Sequence, residues 1–289
     1  MVKRIIALVF IYFCASVAWM ILGGTIFYRT ENTNTALHER VVSSWGSRHD
    51  QAPPRASYVI VRRNAPDETV CLPLEKTRAE VKFDLEHRKK GLLWYATYNV
   101  DFSGVYTFLN NSDRTRNVTF ELVFPSEKAI YDDFVFELDG KPLEAKFGER
   151  NVTGEYWNKE AGAAARVRME SGATATLKVA YRSQGLDRWR YILGGLGNDV
   201  AHARDFSLKM STPFKDIDFP EDTLSPTEKT ETANGWELAW NFENLLSGFQ
   251  IGMEMPKKLQ PGPLAGKISL FAPISLLFFF FILFIITTI

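Results

Sequence analysis

The chain has 289 residues, with 34 acidic and 34 basic side chains. All 34 acids and 31 of the bases lie between about Tyr28 and Gly266, so this middle part has a formal charge of about −3. That balance is not typical of a nucleic-acid binder, so no nucleic acid is expected among its partners. The two cysteines, Cys14 and Cys71, fall in chemically different segments, and no intramolecular disulfide is expected.

Two apolar stretches frame the chain, Ile5 to Phe27 and Ile268 to Ile289, and neither contains a charged residue. At about 1.5 Å per helical residue, each is long enough to cross a hydrocarbon core of about 30 Å. The pattern predicts a transmembrane helix at each end, residues 1–28 as an N-terminal anchor and residues 268–289 as a second span. The lipid bilayer is therefore an expected partner.

The N-terminal stretch also has features of a secretory signal. Lys3 and Arg4 precede the apolar run, and Ser16-Val17-Ala18 has the composition of a cleavage site. However, the run continues through Phe27, whereas the apolar part of a signal is usually 7–15 residues long. We therefore expect an uncleaved anchor.

Basic residues near the two spans favour opposite orientations. Lys3 and Arg4 favour an inside N-terminus, which places the middle domain outside. Lys257, Lys258 and Lys267, before the second span, favour the reverse. Because long domains cross a membrane largely regardless of their charge, the N-terminal signal is preferred. The middle domain is expected in the periplasm of a bacterial inner membrane.

The middle of the chain is divided into a connector at residues 29–56, a β-rich domain at 57–256 and a linker at 257–267. The connector includes a short helix near residues 35–43, and the second helix is expected to begin after Pro263 because proline resists helix continuation. Asp139-Gly140 is a hairpin signal, and Gly104 indicates a bulge or bend.

Strand patterns dominate residues 57–256, where short segments alternate in polarity or are rich in aromatic and β-branched residues. About ten strands separated by turns predict a mainly β, sandwich-like extracytoplasmic domain flanked by the two transmembrane helices. The predicted strands are 58–62, 80–86, 92–109, 117–124, 134–138, 173–181, 206–210, 235–242 and 249–255.

No catalytic, cofactor or metal site is predicted. The four histidines form no HExxH motif and have no zinc-type spacing to cysteine, so they are expected on the surface. There is no GxSxG nucleophile elbow. The glycine-rich segment 194–199 lacks the ending of a phosphate-binding loop and is interpreted as a turn. The histidines are His38, His49, His87 and His202.

One segment interleaves bases with aromatics. Arg188, Trp189, Arg190 and Tyr191 form a speculative interaction surface for sugars, lipid headgroups or a protein partner. The alternative is a strand that packs its aromatic face into the core.

Several segments resemble CreD-type inner-membrane proteins of Gram-negative bacteria, a family linked to colicin tolerance and cell-envelope integrity. The resemblance implies an N-terminal anchor, a large periplasmic region and several further helices. This sequence stops within the first of those helices, so we expect it to lack most of the C-terminal bundle. The segments are DFSGVYTF (101–108), GLDRWRY (185–191), DFPEDTLSPTEK (218–229), NLLSGFQIGMEMP (244–256) and PGPLAGKISLFAPISLLFFFF (261–281).

These observations predict a non-enzymatic inner-membrane protein. Its periplasmic β domain would bind or sense a ligand in envelope integrity or the stress response. Other envelope proteins or further transmembrane helices are its expected partners. Two alternatives stay open: an enzyme acting on envelope glycan or lipid through a site assembled from distant residues, and a component of a transporter. A transporter normally has ionisable residues within its spans, and these two spans have none.

Overall fold

The computed structural model of this chain describes residues 2–63, 66–91, 93–149, 161–194 and 201–288. These residues form two helices and sixteen strands. In chain order they are α1 (Val2–Trp45), β1 (His49–Gln51), β2 (Arg55–Ile60), β3 (Glu68–Cys71), β4 (Leu74–Lys90), β5 (Leu93–Leu109), β6 (Arg116–Val123), β7 (Tyr131–Leu138), β8 (Lys141–Pro142), β9 (Lys146–Glu149), β10 (Ala161–Met169), β11 (Thr174–Leu186), β12 (Arg188–Tyr191), β13 (Ala201–Thr212), β14 (Glu228–Glu231), β15 (Trp236–Ser247), β16 (Ile251–Glu254) and α2 (Pro261–Thr288).

The chain divides into two compact units. The helical unit comprises Met1–Val41, Arg88–Tyr95 and Lys257–Ile289, so it includes the tip of the hairpin between β4 and β5. The β unit comprises Val42–His87 and Ala96–Pro256. The mainly β fold with an apolar helix at each end is confirmed.

Both helices are long and apolar enough to cross a membrane. The expected connector with a short helix is wrong, because α1 continues without a break to Trp45. Residues 28–45 contain no glycine or proline, and the helix ends before Gly46, whose φ is 142°. The expected start of α2 is also wrong, since the helix begins at Pro261. Proline is tolerated in a first helical turn because the amide hydrogen it lacks has no helical partner there.

The two helices pack antiparallel within the helical unit. The hydroxyl of Tyr12 donates to the carbonyl of Pro273 at 3.4 Å, and the Tyr12 ring meets that of Phe280 edge-on. Nearer the start of α2, Gly23 faces Leu270: a β-carbon added at Gly23 would lie 2.9 Å from the Leu270 Cγ. Small residues of this kind let two helices approach closely where lipid gives no hydrophobic drive for their association.

Three sheets form the β unit. Their strand orders are β1-β12-β16, β3-β2-β6-β10-β9 and β14-β15-β13-β4-β5-β11-β7-β8. Most neighbours are antiparallel, but β13 pairs with β4 in parallel, and so does β1 with β12. Strands form at all nine predicted positions, most of them longer than predicted. The structure adds β1, β3, β8, β9, β10 and β14, which are short or lack clear alternation, and β12, which was one of two alternatives for its segment.

The core lies between the faces of the two larger sheets. Phe108 on β5 packs edge-on against Phe120 on β6, with ring centroids 5.7 Å apart, and both side chains are buried. The largest fully buried side chains include Trp189, Trp240 and Tyr98. A buried face of aromatic and β-branched residues on each sheet is the sandwich-like arrangement that the alternating segments predict.

Two local predictions had opposite outcomes. The hairpin turn at Asp139-Gly140 is confirmed: both residues have positive φ, 51° and 75°, as a two-residue type I′ turn requires. The bulge at Gly104 is wrong, because the β5–β11 pairing continues through Gly104 without a shift of register. The glycine instead leaves room for the ring of Tyr106, whose hydroxyl would lie 2.6 Å from an added β-carbon.

Candidate functional site

The predicted interaction segment forms strand β12, and its side chains alternate between two environments. Trp189 and Tyr191 are buried in the core, as the alternative interpretation of a packed aromatic face expects. Arg188 and Arg190 lie on the other face and are partly exposed. A surface on this strand therefore consists of the two arginines, without the aromatic rings.

Asp50 on β1 holds one of these arginines. The two strands are parallel and adjacent, with Asp50 opposite Arg190 in register. The Arg190 Nε and Nη2 atoms donate to the two Asp50 carboxylate oxygens at 2.8 and 2.9 Å, a bidentate pair. Hydrogen bonding to Asp50 raises the pKa of Arg190 above its usual value. The positive charge of Arg190 is thus already neutralised within the site.

Arg188 is less well matched. Its guanidinium is 3.9 Å from Asp50, and its buried Nε–H has no acceptor among the described residues. Burial, and then the neighbouring charge of Arg190, lowers its pKa below the usual value. Among the described residues Arg188 has no bidentate carboxylate partner, so its partly exposed guanidinium is the group of the predicted surface best suited to an anionic ligand.

Beneath this surface lies a buried polar network centred on His49. The imidazole Nδ1 is 3.0 Å from the Tyr98 hydroxyl, and Nε2 is 3.2 Å from the Ser183 hydroxyl. The Tyr98 hydroxyl donates its proton to the Arg188 carbonyl at 2.9 Å, so it must accept from Nδ1–H. Nε2 then accepts from Ser183. His49 is therefore neutral, with its proton on Nδ1.

The surface location expected for His49 is wrong. Its side chain has no exposed area, and burial lowers its pKa from 6.5 to about 4. The strand around it is only three residues long, so its alternation gave too short a signal to predict burial. His202 is exposed, and His38 and His87 are half-buried.

The Ser183–His49 contact has the distance of a nucleophile and its general base, but not the surroundings. Ser183 is 4% exposed and His49 is fully buried, so no substrate reaches either group in this structure. The other ring nitrogen, Nδ1, contacts the Tyr98 hydroxyl, whereas in a catalytic triad that nitrogen commonly contacts a carboxylate. A histidine whose pKa is about 4 is also a weak base near neutral pH. The network is a polar part of the core.

Other predicted features give no site. Within the described ranges, no group of three or more His, Cys, Asp or Glu side chains is arranged to hold a metal ion. Most of the glycine-rich segment 194–199 lies outside the described residues. Cys14 and Cys71 are both free and exposed in the structure.

A second group of polar residues lies in the helical unit, where sequence reasoning placed no site. Lys89 and Lys258 approach the ring of Trp94, with their Nζ atoms 5.7 and 4.4 Å from the ring centroid. Gln260 fixes the tryptophan backbone, accepting from its amide at 3.0 Å and donating to its carbonyl at 2.5 Å. The lysines come from segments far apart in the chain, so no local motif could reveal this cluster.

No family model matches the chain, and no curated protein sequence matches it. Similar solved structures include a Legionella pneumophila protein provisionally assigned to nutrient binding. It has a TM-score of 0.44 and 11% identity over 71% of this chain and 70% of that one. An M1 zinc metallopeptidase from Deinococcus radiodurans has a TM-score of 0.34 and 10% identity, over 63% of this chain and 42% of that one. Similarity at these levels gives no information on activity.

Proposed function

We propose that this protein is a non-enzymatic component of a bacterial inner membrane, anchored by α1 and α2, whose β unit binds or senses a ligand in the periplasm. The observation that carries the proposal is the exposure of large apolar side chains along both helices. Phe10 and Phe13 on α1, and Phe278 and Ile282 on α2, are each more than half exposed. In water such surfaces would aggregate, whereas in a bilayer they contact lipid.

The antiparallel packing of the helices supports two crossings of one bilayer. A chain that enters through α1 and returns through α2 leaves everything between them on one side. Lys3 and Arg4 at the start of α1 favour the cytoplasm, which puts the β unit outside. The resemblance to CreD-type proteins, which have a periplasmic region in this position, agrees with that orientation.

A binding role is favoured over catalysis by the state of the polar groups in the β unit. Ser183 and His49 are enclosed in the core, and Arg190 is paired with Asp50. Arg188 keeps a partly exposed guanidinium 3.9 Å from Asp50, which suits an anionic ligand. The resemblance adds the envelope as the setting, and with it a role in envelope integrity or the stress response.

The native cysteines test the topology directly. Cys71 lies on β3 and is exposed, so in a Cys14→Ser chain it is the only thiol. In cells with a permeabilised outer membrane, a membrane-impermeant maleimide should label this variant without lysis. A Cys71→Ser chain that retains Cys14 is the control for labelling at the anchor. Labelling of Cys71 only after the inner membrane is broken would place the β unit in the cytoplasm and refute the proposal.

A further inference from the structure

Two positive charges meet at one tryptophan in the helical unit. The Nζ atoms of Lys89 and Lys258 both lie within 6 Å of the centroid of the Trp94 ring. Both lysines are exposed, and neither has a carboxylate partner in the part of the chain that the structure describes. A tryptophan face attracts cations, but it does not neutralise them. The cluster therefore keeps a net charge of about +2.

Three contacts fix this cluster relative to the helices. The Tyr95 hydroxyl donates to the Asn34 side-chain oxygen on α1 at 3.3 Å. Gly91, at the hairpin tip, faces Leu37 on α1, and an added β-carbon there would lie 3.2 Å from its Cδ1. Gln260, just before α2, binds the Trp94 backbone through both its donor and its acceptor. The hairpin tip is therefore held by residues that adjoin both helices.

The depth of the cluster follows from helix geometry. Gly266 of α2 faces Phe27, where the apolar part of α1 ends, and Gly262 faces Thr30 one turn further along. Asn34 lies seven residues beyond Phe27, which corresponds to about 10 Å at 1.5 Å per residue. The headgroup layer extends about 5–8 Å beyond the hydrocarbon on each side. The level of Asn34 is therefore a few ångströms beyond the headgroup layer, within the reach of a long side chain such as lysine.

We propose that Lys89, Lys258 and Trp94 form a binding site for the headgroup of an anionic phospholipid. The phosphodiester would lie between the two ammonium groups and supply the negative charge that the protein does not. Leu259 is 83% exposed beside Lys258, and it offers an apolar side chain to the same interface. Tryptophan is enriched at this depth of a membrane. The inference rests on the proposed anchoring of α1 and α2 in a bilayer.

The site also accounts for part of the conflicting charge signal at the second span, because it contains Lys258. Lys257, Lys258 and Lys267 lie on the flank that would normally carry few basic residues if the β unit is outside. A lysine that binds a headgroup has a role at that position, so its location then gives no information on the orientation of the chain in the membrane.

The test uses the full chain purified in a neutral detergent. Phosphatidylglycerol and phosphatidylcholine with identical acyl chains are titrated separately, and bound lipid is counted by native mass spectrometry. The wild type should prefer phosphatidylglycerol. The Lys89→Gln/Lys258→Gln variant should bind it about thirty-fold more weakly, since a basic residue near an anionic surface contributes about 1 kcal/mol. Binding of phosphatidylcholine should not change.

Two further variants control for charge and folding. Lys141→Gln/Lys209→Gln removes two exposed lysines from the β unit, and it should keep the wild-type preference. Lys89→Arg/Lys258→Arg keeps the positive charge, and it should also bind phosphatidylglycerol. An unchanged preference in the Lys89→Gln/Lys258→Gln variant, or an equal loss in the β-unit control, would overturn the inference.

Two more measurements separate the remaining outcomes. Soluble glycerol 3-phosphate should not displace the lipid at equal concentration, and displacement would assign the site to free phosphate and overturn the lipid proposal. Flotation with liposomes after an alkaline carbonate wash tests anchoring by itself. A chain that floats but shows no phosphatidylglycerol preference refutes only the headgroup site, whereas a chain that does not float refutes the anchoring as well.

Discussion

Gly185 on β11 lies directly opposite Tyr98 on β5, and its lack of a side chain lets the tyrosine reach His49. A β-carbon at Gly185 would overlap the Tyr98 ring and lie 2.6 Å from the His49 Nδ1 atom. The buried polar network is therefore built around the space left by one glycine.

Gly185→Ala should destabilise the β unit by about 2–3 kcal/mol, because the added methyl group has no free volume and must displace a buried ring. The measurement is chemical unfolding of the full chain in detergent, monitored by near-UV circular dichroism. Gly248→Ala is the control, since nothing lies within 4 Å of a β-carbon at that position. Equal effects of the two substitutions would mean that the space at Gly185 is not needed.

The stability of the β unit should depend on pH through His49. In the folded protein its pKa is about 4, whereas in the unfolded chain it has the ordinary value of about 6.5. Between these values the unfolded chain binds the extra proton, so stability should fall as the pH is lowered from about 6.5 to about 4. This contribution is constant above and below that window. Its full size is about 3 kcal/mol.

His49→Gln isolates that contribution, because an amide can donate to Tyr98 and accept from Ser183 as the neutral imidazole does. The variant should show a smaller loss of unfolding free energy between pH 6.5 and 4 than the wild type, whatever its absolute stability. Parallel curves for the two chains would show that His49 does not titrate differently in the folded state.

Asp50→Asn should weaken the β1–β12 contact, because Arg190 loses its bidentate partner and Arg188 its nearest carboxylate. All three side chains are partly exposed, so solvent screening limits the expected loss to about 1 kcal/mol of unfolding free energy. Glu231→Gln breaks the fully exposed pair with Lys215, and it should leave the unfolding curve unchanged. A larger effect at Glu231 than at Asp50 would contradict this assignment.

Packing between the helices can be tested by crosslinking in membranes. In a chain with Cys14 and Cys71 replaced by serine, Gly23→Cys with Leu270→Cys should form a disulfide readily, because Gly23 faces Leu270. A disulfide needs β-carbons about 3.8 Å apart.

Gly24→Cys with Leu270→Cys is the matched control for this experiment, since nothing lies within 4 Å of a β-carbon at Gly24. This pair should crosslink poorly. Comparable yields from the two pairs would show that α1 does not present Gly23 to α2.

Much of the fold is encoded in short stretches of sequence. The two apolar helices, nine strand positions and the Asp139-Gly140 turn each depend on residues close together in the chain, so periodicity and turn chemistry predict them. The extension of α1 to Trp45 was within reach too, because residues 28–45 lack helix breakers. The polar composition of this segment favours a loop, but without glycine or proline the helix continues through it.

What the tertiary structure alone decided is which distant residues meet. Asp50 and Arg190 are 140 positions apart, and a tyrosine, a serine and a histidine from three separate strands form the buried network. Lys89 and Lys258 meet at Trp94 only because the hairpin tip and the start of α2 belong to one compact unit. A local pattern shows which face of a strand is apolar, but it does not say which strand covers that face. The strand that covers a given face is decided by how the whole chain minimises exposed apolar area and unsatisfied polar groups. The residues next to each other in the sequence do not determine that choice.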